Sequence, residues 1–276
     1  MADKEFLELR KKIIEKDFQH MNDKQKQAIF QVKGPVLILA GAGSGKTTVL
    51  VNRIAQIIRY GNAYYDESVP SRLSPETVAA FEAAHELSAE DIAPLLSEFS
   101  ASPCTPWNVL AITFTNKAAK EIVERLSRVF DGDDIAKSIW AGTFHSICMR
   151  ILRSHSDKLG YGGTLTIYDS DDSKKLLTAV MKELNIDEKQ FAVRSVASEI
   201  SRAKERLLDP TAYAEEATAF REKTCAKIYN LYQSRLNESN ALDFDDIIMQ
   251  TVFLLRREDE VRRYYARKFK YICVDE

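Results

Sequence analysis

The chain has 276 residues, of which 45% are apolar and 29% charged, with a net charge of −2. That is the composition of a soluble globular protein holding one large domain or two ordinary ones. No apolar run approaches the roughly 20 residues that span a bilayer, and the N-terminal Met1 to Phe6 lacks a signal-peptide core, so no membrane partner is expected.

Cys104, Cys148, Cys225 and Cys273 are scattered, form no C-x-x-C pair and have no paired histidines nearby. They read as reduced thiols of a cytoplasmic protein rather than zinc ligands. The charge is unevenly placed. Between Asn62 and Trp107 eight acidic residues face one base, Arg72, so that segment carries −7 and the remainder +5. A polyanionic partner is expected to approach the remainder.

In chain order, residues 3–19 read as helix, and Asn22 is an N-cap for a second helix carrying Gln25 and Ala28. Pro35 to Ala40 is a fully apolar strand. It runs into Gly41-Ala42-Gly43-Ser44-Gly45-Lys46-Thr47-Thr48, and a helix from Lys46 to Tyr60 follows, with Val49, Leu50, Ile54, Ile57 and Ile58 at helical spacing. Four of the ten glycines (Gly34, Gly41, Gly43 and Gly45) fall within twelve residues. Glycines let consecutive backbone N–H groups converge on one point, and the helix N-terminus adds partial positive charge. Lys46 then reaches the β- and γ-phosphates and the Thr47 hydroxyl ligates Mg²⁺. Ala40 stands where the general phosphate-loop pattern opens with glycine. The chain is expected to bind a nucleoside triphosphate.

The acidic segment reads as a small helical insertion. Ser74-Pro75-Glu76 starts one helix with Val78, Phe81 and Leu87, and Ser88 to Asp91 caps another with Ile92, Leu95, Leu96 and Phe99. Strands at Val109 to Thr113 and Ser138 to Gly142 follow, each leading into a helix, Asn116 to Val129 and Phe144 to Ser156. Apolar, non-alternating strands that alternate with helices predict an α/β fold with a parallel sheet. From Asp169 to Ala241 the pattern is helical, with helices at Asp171 to Leu184, Val193 to Leu207 and Thr218 to Glu238. Helices at Phe244 to Arg256 and Glu260 to Phe269 then lead to a strand, Tyr271 to Val274. That strand ends in Asp275-Glu276, the second half expected of a phosphate-loop site. There Asp275 anchors Mg²⁺ and Glu276 polarises the attacking water.

Several segments together resemble the UvrD/Rep/PcrA group of superfamily 1A helicases. Met21 to Ala28 resembles its Q-motif, in which the glutamine, here Gln25, reads adenine and selects ATP. Ala40 to Thr47 matches that group's own phosphate loop, which makes Ala40 expected. Ile112 to Ala119 resembles motif Ia, Gly142 to Ser146 motif Ib, Leu242 to Asp246 the acidic-aromatic motif before the Walker B strand, and Lys270 to Glu276 motif II. Thr48 departs from the arginine many members carry there to stack on adenine, which shifts that contact toward Gln25. The acidic segment from Asn62 to Trp107 replaces a short connection and is read as a surface elaboration for a protein partner or for steering DNA.

The resemblance implies a RecA-like P-loop NTPase domain over residues 1–150 and 241–276, with a helical subdomain over 151–240 inserted in it. It implies ATP and Mg²⁺ as cofactors, held by Gln25, residues 41–48 and Asp275, with Lys46, Asp275 and Glu276 catalytic. Single-stranded DNA is implied to lie along Thr113, Phe114, Thr115, Asn116, Thr143, Phe144 and His145. At the end of a strand and the start of a helix, hydroxyls, an amide and helix N–H groups suit phosphate contact without sequence reading. Phe114 and Phe144 suit base stacking, although Phe114 reads equally as a core residue. His145 reads as a contact residue, because phosphoryl transfer needs no histidine. Asp245 and Asp246 read either as part of the motif or as simple helix caps.

The implied whole enzyme translocates 3′ to 5′ on single-stranded DNA and opens duplex junctions in replication or repair. The later motifs and their arginines are absent, so this piece, read as a monomer, is expected to bind ATP weakly and hydrolyse it slowly. Alternatives are a helicase–nuclease of the RecB/AddA type, a P-loop phosphotransferase unrelated to DNA, and a non-catalytic DNA-binding scaffold.

Overall fold

The computed structural model describes residues 3–41, 43–70, 79, 96–130, 132–162 and 164–275. The chain divides into two compact units, residues 1–143 with 267–276 and residues 144–266.

In the first unit β1 (Val109–Thr113) is the centre of a three-stranded sheet, flanked by β2 (Trp140–Thr143) and β5 (Tyr271–Val274). Both neighbours run parallel to β1, with Leu110 opposite Trp140 on one side and Ile272 on the other. Every residue of β1 is buried, which in a parallel sheet means that helices cover both faces. The helices are α1 (Asp3–Asp17), α2 (Asp23–Phe30), α3 (Lys46–Arg59), the short α4 (Leu96–Phe99), α5 (Asn116–Val129) and α6 (Asp133–Ser138). One core joins Leu50, Ile54 and Ile57 of α3 to Val109 and Ala111 of β1 and to Ile122 and Leu126 of α5. A second packs Ile14 and Phe18 against Ile29, Phe30, Val49 and Tyr60.

The strand expected over Pro35 to Ala40 does not form. The segment takes no ladder partner among the described residues, and Leu37 and Leu39 are 82% and 85% exposed. An all-apolar strand is stable when neighbours flank it on both edges. Here a cavity of about 790 Å³, lined by Val36, Ile38 and the whole of β5, lies between the segment and the sheet.

The ends of the acidic segment are pinned together. Gly61 and Ala101 form a parallel bridge, and Asn62 N–H donates to the Ala101 carbonyl at 2.8 Å while Ala101 N–H donates to that of Tyr60 at 3.0 Å. Arg10 of α1, almost fully buried, donates to the carbonyls of Ser68 and Asp66. Phe99 of α4 is buried and stacks on Phe6 at 6.1 Å. Apart from residue 79 and α4, the helices expected from Ser74 to Phe99 lie outside the described residues.

The second unit is nearly all helix: α7 (Phe144–Ser154), α8 (Ser170–Glu183), α9 (Val193–Glu205), α10 (Pro210–Glu216), α11 (Phe220–Glu238), α12 (Phe244–Arg257) and α13 (Asp259–Lys268), the last crossing into the first unit at Arg267. A two-residue parallel pair, β3 (Thr166–Ile167) with β4 (Ala241–Leu242), is too short to leave a periodicity and was not expected. The core draws Leu177, Val180 and Met181 from α8, Val196 and Ile200 from α9, and Ile228, Tyr229 and Tyr232 from α11.

Lys204 lies on the same buried face of α9 as Val196 and Ile200. Its ammonium pairs with Asp243 at 2.6 Å and Asp246 at 2.8 Å and sits over the rings of Tyr232 and Tyr229. Tyr232 Oη donates to Asp243 and Gln233 Nε2 donates to Asp246, so the acidic start of α12 is held on several sides. Burial pushes the Asp246 carboxyl up to about 6, with Lys204 opposing and Asp243 adding to the shift.

Lys204→Met leaves two buried carboxylates without their cation and is expected to cost about 3–5 kcal/mol in denaturant unfolding. The raised carboxyl of Asp246 contributes stability that is complete below the ordinary carboxylate value and lost as pH rises through about 6. Asp246→Asn is therefore expected to flatten the pH dependence of stability across that window. Gly61 has φ +60° and a Cβ there would stand 2.2 Å from the Ala101 carbonyl oxygen, so Gly61→Ala is expected to lower the unfolding free energy by more than about 1 kcal/mol.

Candidate functional site

The phosphate loop follows the apolar segment and ends at the first turn of α3. Gly43 and Gly45 have φ of +75° and +83°, the left-handed region that favours glycine, and Gly45 is the N-cap of α3. Ser44 Oγ donates to the Gly41 carbonyl at 2.7 Å and closes the turn. The first helical bond runs from Val49 N–H to the Gly45 carbonyl at 2.9 Å, so the N–H groups of Lys46, Thr47 and Thr48 have no intrahelical acceptor. Lys46 Nζ donates to the carbonyls of Ala40 at 3.0 Å and Gly41 at 3.3 Å, which holds the ammonium at the loop. Ala42 lies outside the described residues.

Thr47 Oγ1 donates to Asp275 Oδ2 at 2.9 Å, joining residues 228 positions apart. Asp275 is buried, and its N–H donates to the Ile112 carbonyl at 2.8 Å, continuing the β5–β1 ladder one residue past the strand. A hydroxyl and a carboxylate converging at a phosphate loop are hard oxygen donors. They fit Mg²⁺, which takes one or two protein oxygens and completes its shell with water and phosphate. Glu276, assigned the water-polarising role by sequence, lies outside the described residues.

Gln25 has a structural task as well. Its Oε1 accepts from Asn22 N–H at 3.1 Å while Asn22 Oδ1 accepts from Gln25 N–H at 2.9 Å, a reciprocal capping box at the start of α2. Its Nε2 donates to the Ser44 carbonyl at 3.3 Å, which ties α2 to the phosphate loop.

The residues read as DNA contacts divide between buried and exposed positions. Thr113 does not fit that reading: its side chain is fully buried and its hydroxyl has no hydrogen-bond partner among the described residues. Thr143, opposite it on β2, is buried too. Both are the last residues of parallel strands, and covering both sheet faces buries them. Phe114 is 65% exposed, so it is a surface rather than a core residue. Thr115 is exposed and caps α5, its hydroxyl accepting from Ala118 N–H at 3.1 Å, and Asn116, also exposed, opens the helix.

Phe144 and His145, both half-buried, open α7 in the second unit. The His145 ring stacks on Phe244 at 4.0 Å, and Phe244, at the start of α12, is 59% exposed. Burial holds the His145 pKa below the ordinary imidazole value, with Asp245 opposing. The capping box of α12 uses Asp243 and Asp246, which leaves Asp245 out of the cap.

A glycine loop opening a helix, with a lysine at its mouth and a threonine meeting a strand-end aspartate, defines a P-loop nucleotide-binding α/β unit. Residues 21–69 and 89–276 match the UvrD/REP helicase N-terminal domain, and the chain belongs to that family. The RecA-like parallel-sheet fold expected for it is what the first unit shows. The chain is 40% identical over 257 residues to the ATP-dependent DNA helicase PcrA of Staphylococcus aureus, and 36% identical over 256 residues to that of Leuconostoc citreum. In each case 93% of this chain aligns, and it spans 29% of the relative's length.

Stacking against Phe244 contributes to the cover of the His145 ring. Phe244→Ala is expected to move the His145 pKa up toward 6.5, measured by NMR titration of the imidazole.

Proposed function

We propose that this chain is the ATP-binding half of a DNA strand motor, the first RecA-like domain with an inserted helical subdomain. The observation that carries the reading is the Thr47–Asp275 contact, which brings the phosphate loop and the Walker B strand end to one point. Lys46 and the first-turn N–H groups of α3 hold the triphosphate. Thr47 and Asp275 hold Mg²⁺. Bound there, the ion supplies neutralisation of charge developing on the phosphoryl oxygens. Glu276 polarises water, and Gln25, between the Asn22 cap and the loop, serves the nucleotide's adenine end.

Single-stranded DNA follows the exposed residues at the C-terminal edge of the sheet, Phe114, Thr115 and Asn116. In the helical unit it meets Phe144 and His145, with exposed Phe244 as an added stacking surface. Sequence-tolerant stacking is the mode a tracking motor needs. The relatives' name adds DNA helicase activity, and the motif resemblance adds 3′-to-5′ translocation and duplex opening in replication or repair. The acidic segment, net −7, stays off DNA and serves a protein partner. No helix among the described residues is long and apolar enough to cross a membrane, and a cytoplasmic location is part of the proposed reading.

Lys46→Ala is expected to weaken Mg²⁺-ATP binding at least about a hundredfold while leaving single-stranded DNA affinity unchanged, read by labelled-nucleotide titration and DNA anisotropy. Asp275→Asn is expected to remove the Mg²⁺ dependence of ATP binding. Wild-type nucleotide affinity in Lys46→Ala would overturn the proposal.

A further inference from the structure

Thr113 closes β1 with its side chain fully buried, and its hydroxyl meets no hydrogen-bond partner among the described residues. A buried hydroxyl left alone costs free energy, and valine would fill the same space on a strand without that cost. Retaining the hydroxyl makes physical sense where a partner is supplied in another state of the site.

The sheet says which site that is. Side chains alternate between faces along a strand. Val109 and Ala111 of β1, Ala141 of β2, and Tyr271 and Cys273 of β5 all pack in the core shared with α3 and α5. Two residues beyond Ala111, Ala141 and Cys273 stand Thr113, Thr143 and Asp275, so these three share that face. The registers agree: Thr113 lies opposite Thr143, and Ile112 opposite Val274, which puts Thr113 beside Asp275. The bond from Asp275 N–H to the Ile112 carbonyl carries the ladder one residue further. Asp275 reveals its direction independently, since its Oδ2 accepts from Thr47 at the start of α3.

Neighbouring strands lie about 4.8 Å apart, so a hydroxyl and a carboxylate in one row of one face come within bonding reach by side-chain rotation. The chemistry is complementary. An ionised carboxylate carries about four lone-pair positions, and Thr47 with a metal ion would use two of them. Thr113 has a proton to give and no other acceptor for it among the described residues.

We propose that Thr113 is a positioning residue of the nucleotide site, whose hydroxyl donates to the Asp275 carboxylate when Mg²⁺-nucleotide is bound and orients it for the ion. Asp275 is then held from two sides, by Thr47 of α3 and by Thr113 of β1. This inference rests on the nucleotide site proposed above, and it moves Thr113 from the DNA groove to the metal end of that site.

The test titrates Mg²⁺ into labelled ATP with the wild-type chain, Thr113→Val and Thr113→Ser, beside ATP binding in EDTA and denaturant unfolding without nucleotide. Thr113→Val is expected to weaken Mg²⁺-dependent ATP binding about tenfold, to leave binding in EDTA unchanged, and to raise the unfolding midpoint of the nucleotide-free chain. Thr113→Ser keeps the hydroxyl and is expected to bind Mg²⁺-ATP like the wild type. Undiminished Mg²⁺-ATP binding in Thr113→Val, an equal loss in EDTA, a lowered unfolding midpoint in that variant, or a matching loss in Thr113→Ser would each overturn the assignment. Failure of the wild-type chain to bind Mg²⁺-ATP would instead overturn the nucleotide site itself.

Discussion

The bond from Thr47 to Asp275 depends on nearly everything else in the first unit. It requires α3 to begin where the loop delivers it, which Gly43 and Gly45 permit through their positive φ. It also requires β5 to sit in one register on β1, which the bond from Asp275 N–H to Ile112 extends past the strand. A slip of one residue would turn Asp275 to the opposite face of the sheet. Burial of β1 on both faces, with α3 and α5 sharing the core against Val109 and Ala111, removes that freedom. The site is thus a consequence of sheet register more than of any local feature of its own.

A different constraint orders the helical unit. Lys204 and its two carboxylates form a buried polar knot among Tyr229, Tyr232 and Gln233. Such groups add little to net stability compared with apolar packing, and their geometric demands are strict. The knot fixes the first turn of α12, and that turn carries Phe244. The ring that covers His145 is therefore placed by a lysine on another helix. The acidic-aromatic motif serves a structural task through its acids and exposes its aromatic.

Much of this was legible in the sequence because its signals are local. Helical spacing located α3, α5, α9 and α11 to within a few residues, and the glycines with Lys46 and Thr47 located the loop. Asn22 and Gln25 were read as cap and adenine contact, while the capping box between them needed side-chain directions. Apolar runs marked β1 and β5 correctly and misled at Pro35 to Ala40, since composition reports a tendency to pair and says nothing of whether a partner lies alongside. Thr113 and Thr143 looked like surface hydroxyls because they end strands, yet the covering of both faces buries them. Lys204 carried a usable signal: a lysine in phase with Val196 and Ile200 on the buried face of a helix needs an anion.

The hydrogen bonds around Gly61 and Ala101 give the acidic segment an independence that its charge alone would not. With both ends fastened beside the last turn of α3, the span between them is a closed loop whose length weighs little on the rest. Doubling such a loop costs only about 0.6 kcal/mol in closure entropy. The family match skips residues 70–88, inside this loop. The clasp therefore marks a place where a reporter, an affinity handle or a different regulatory peptide can be grafted while the phosphate loop at the other end of α3 stays as it is.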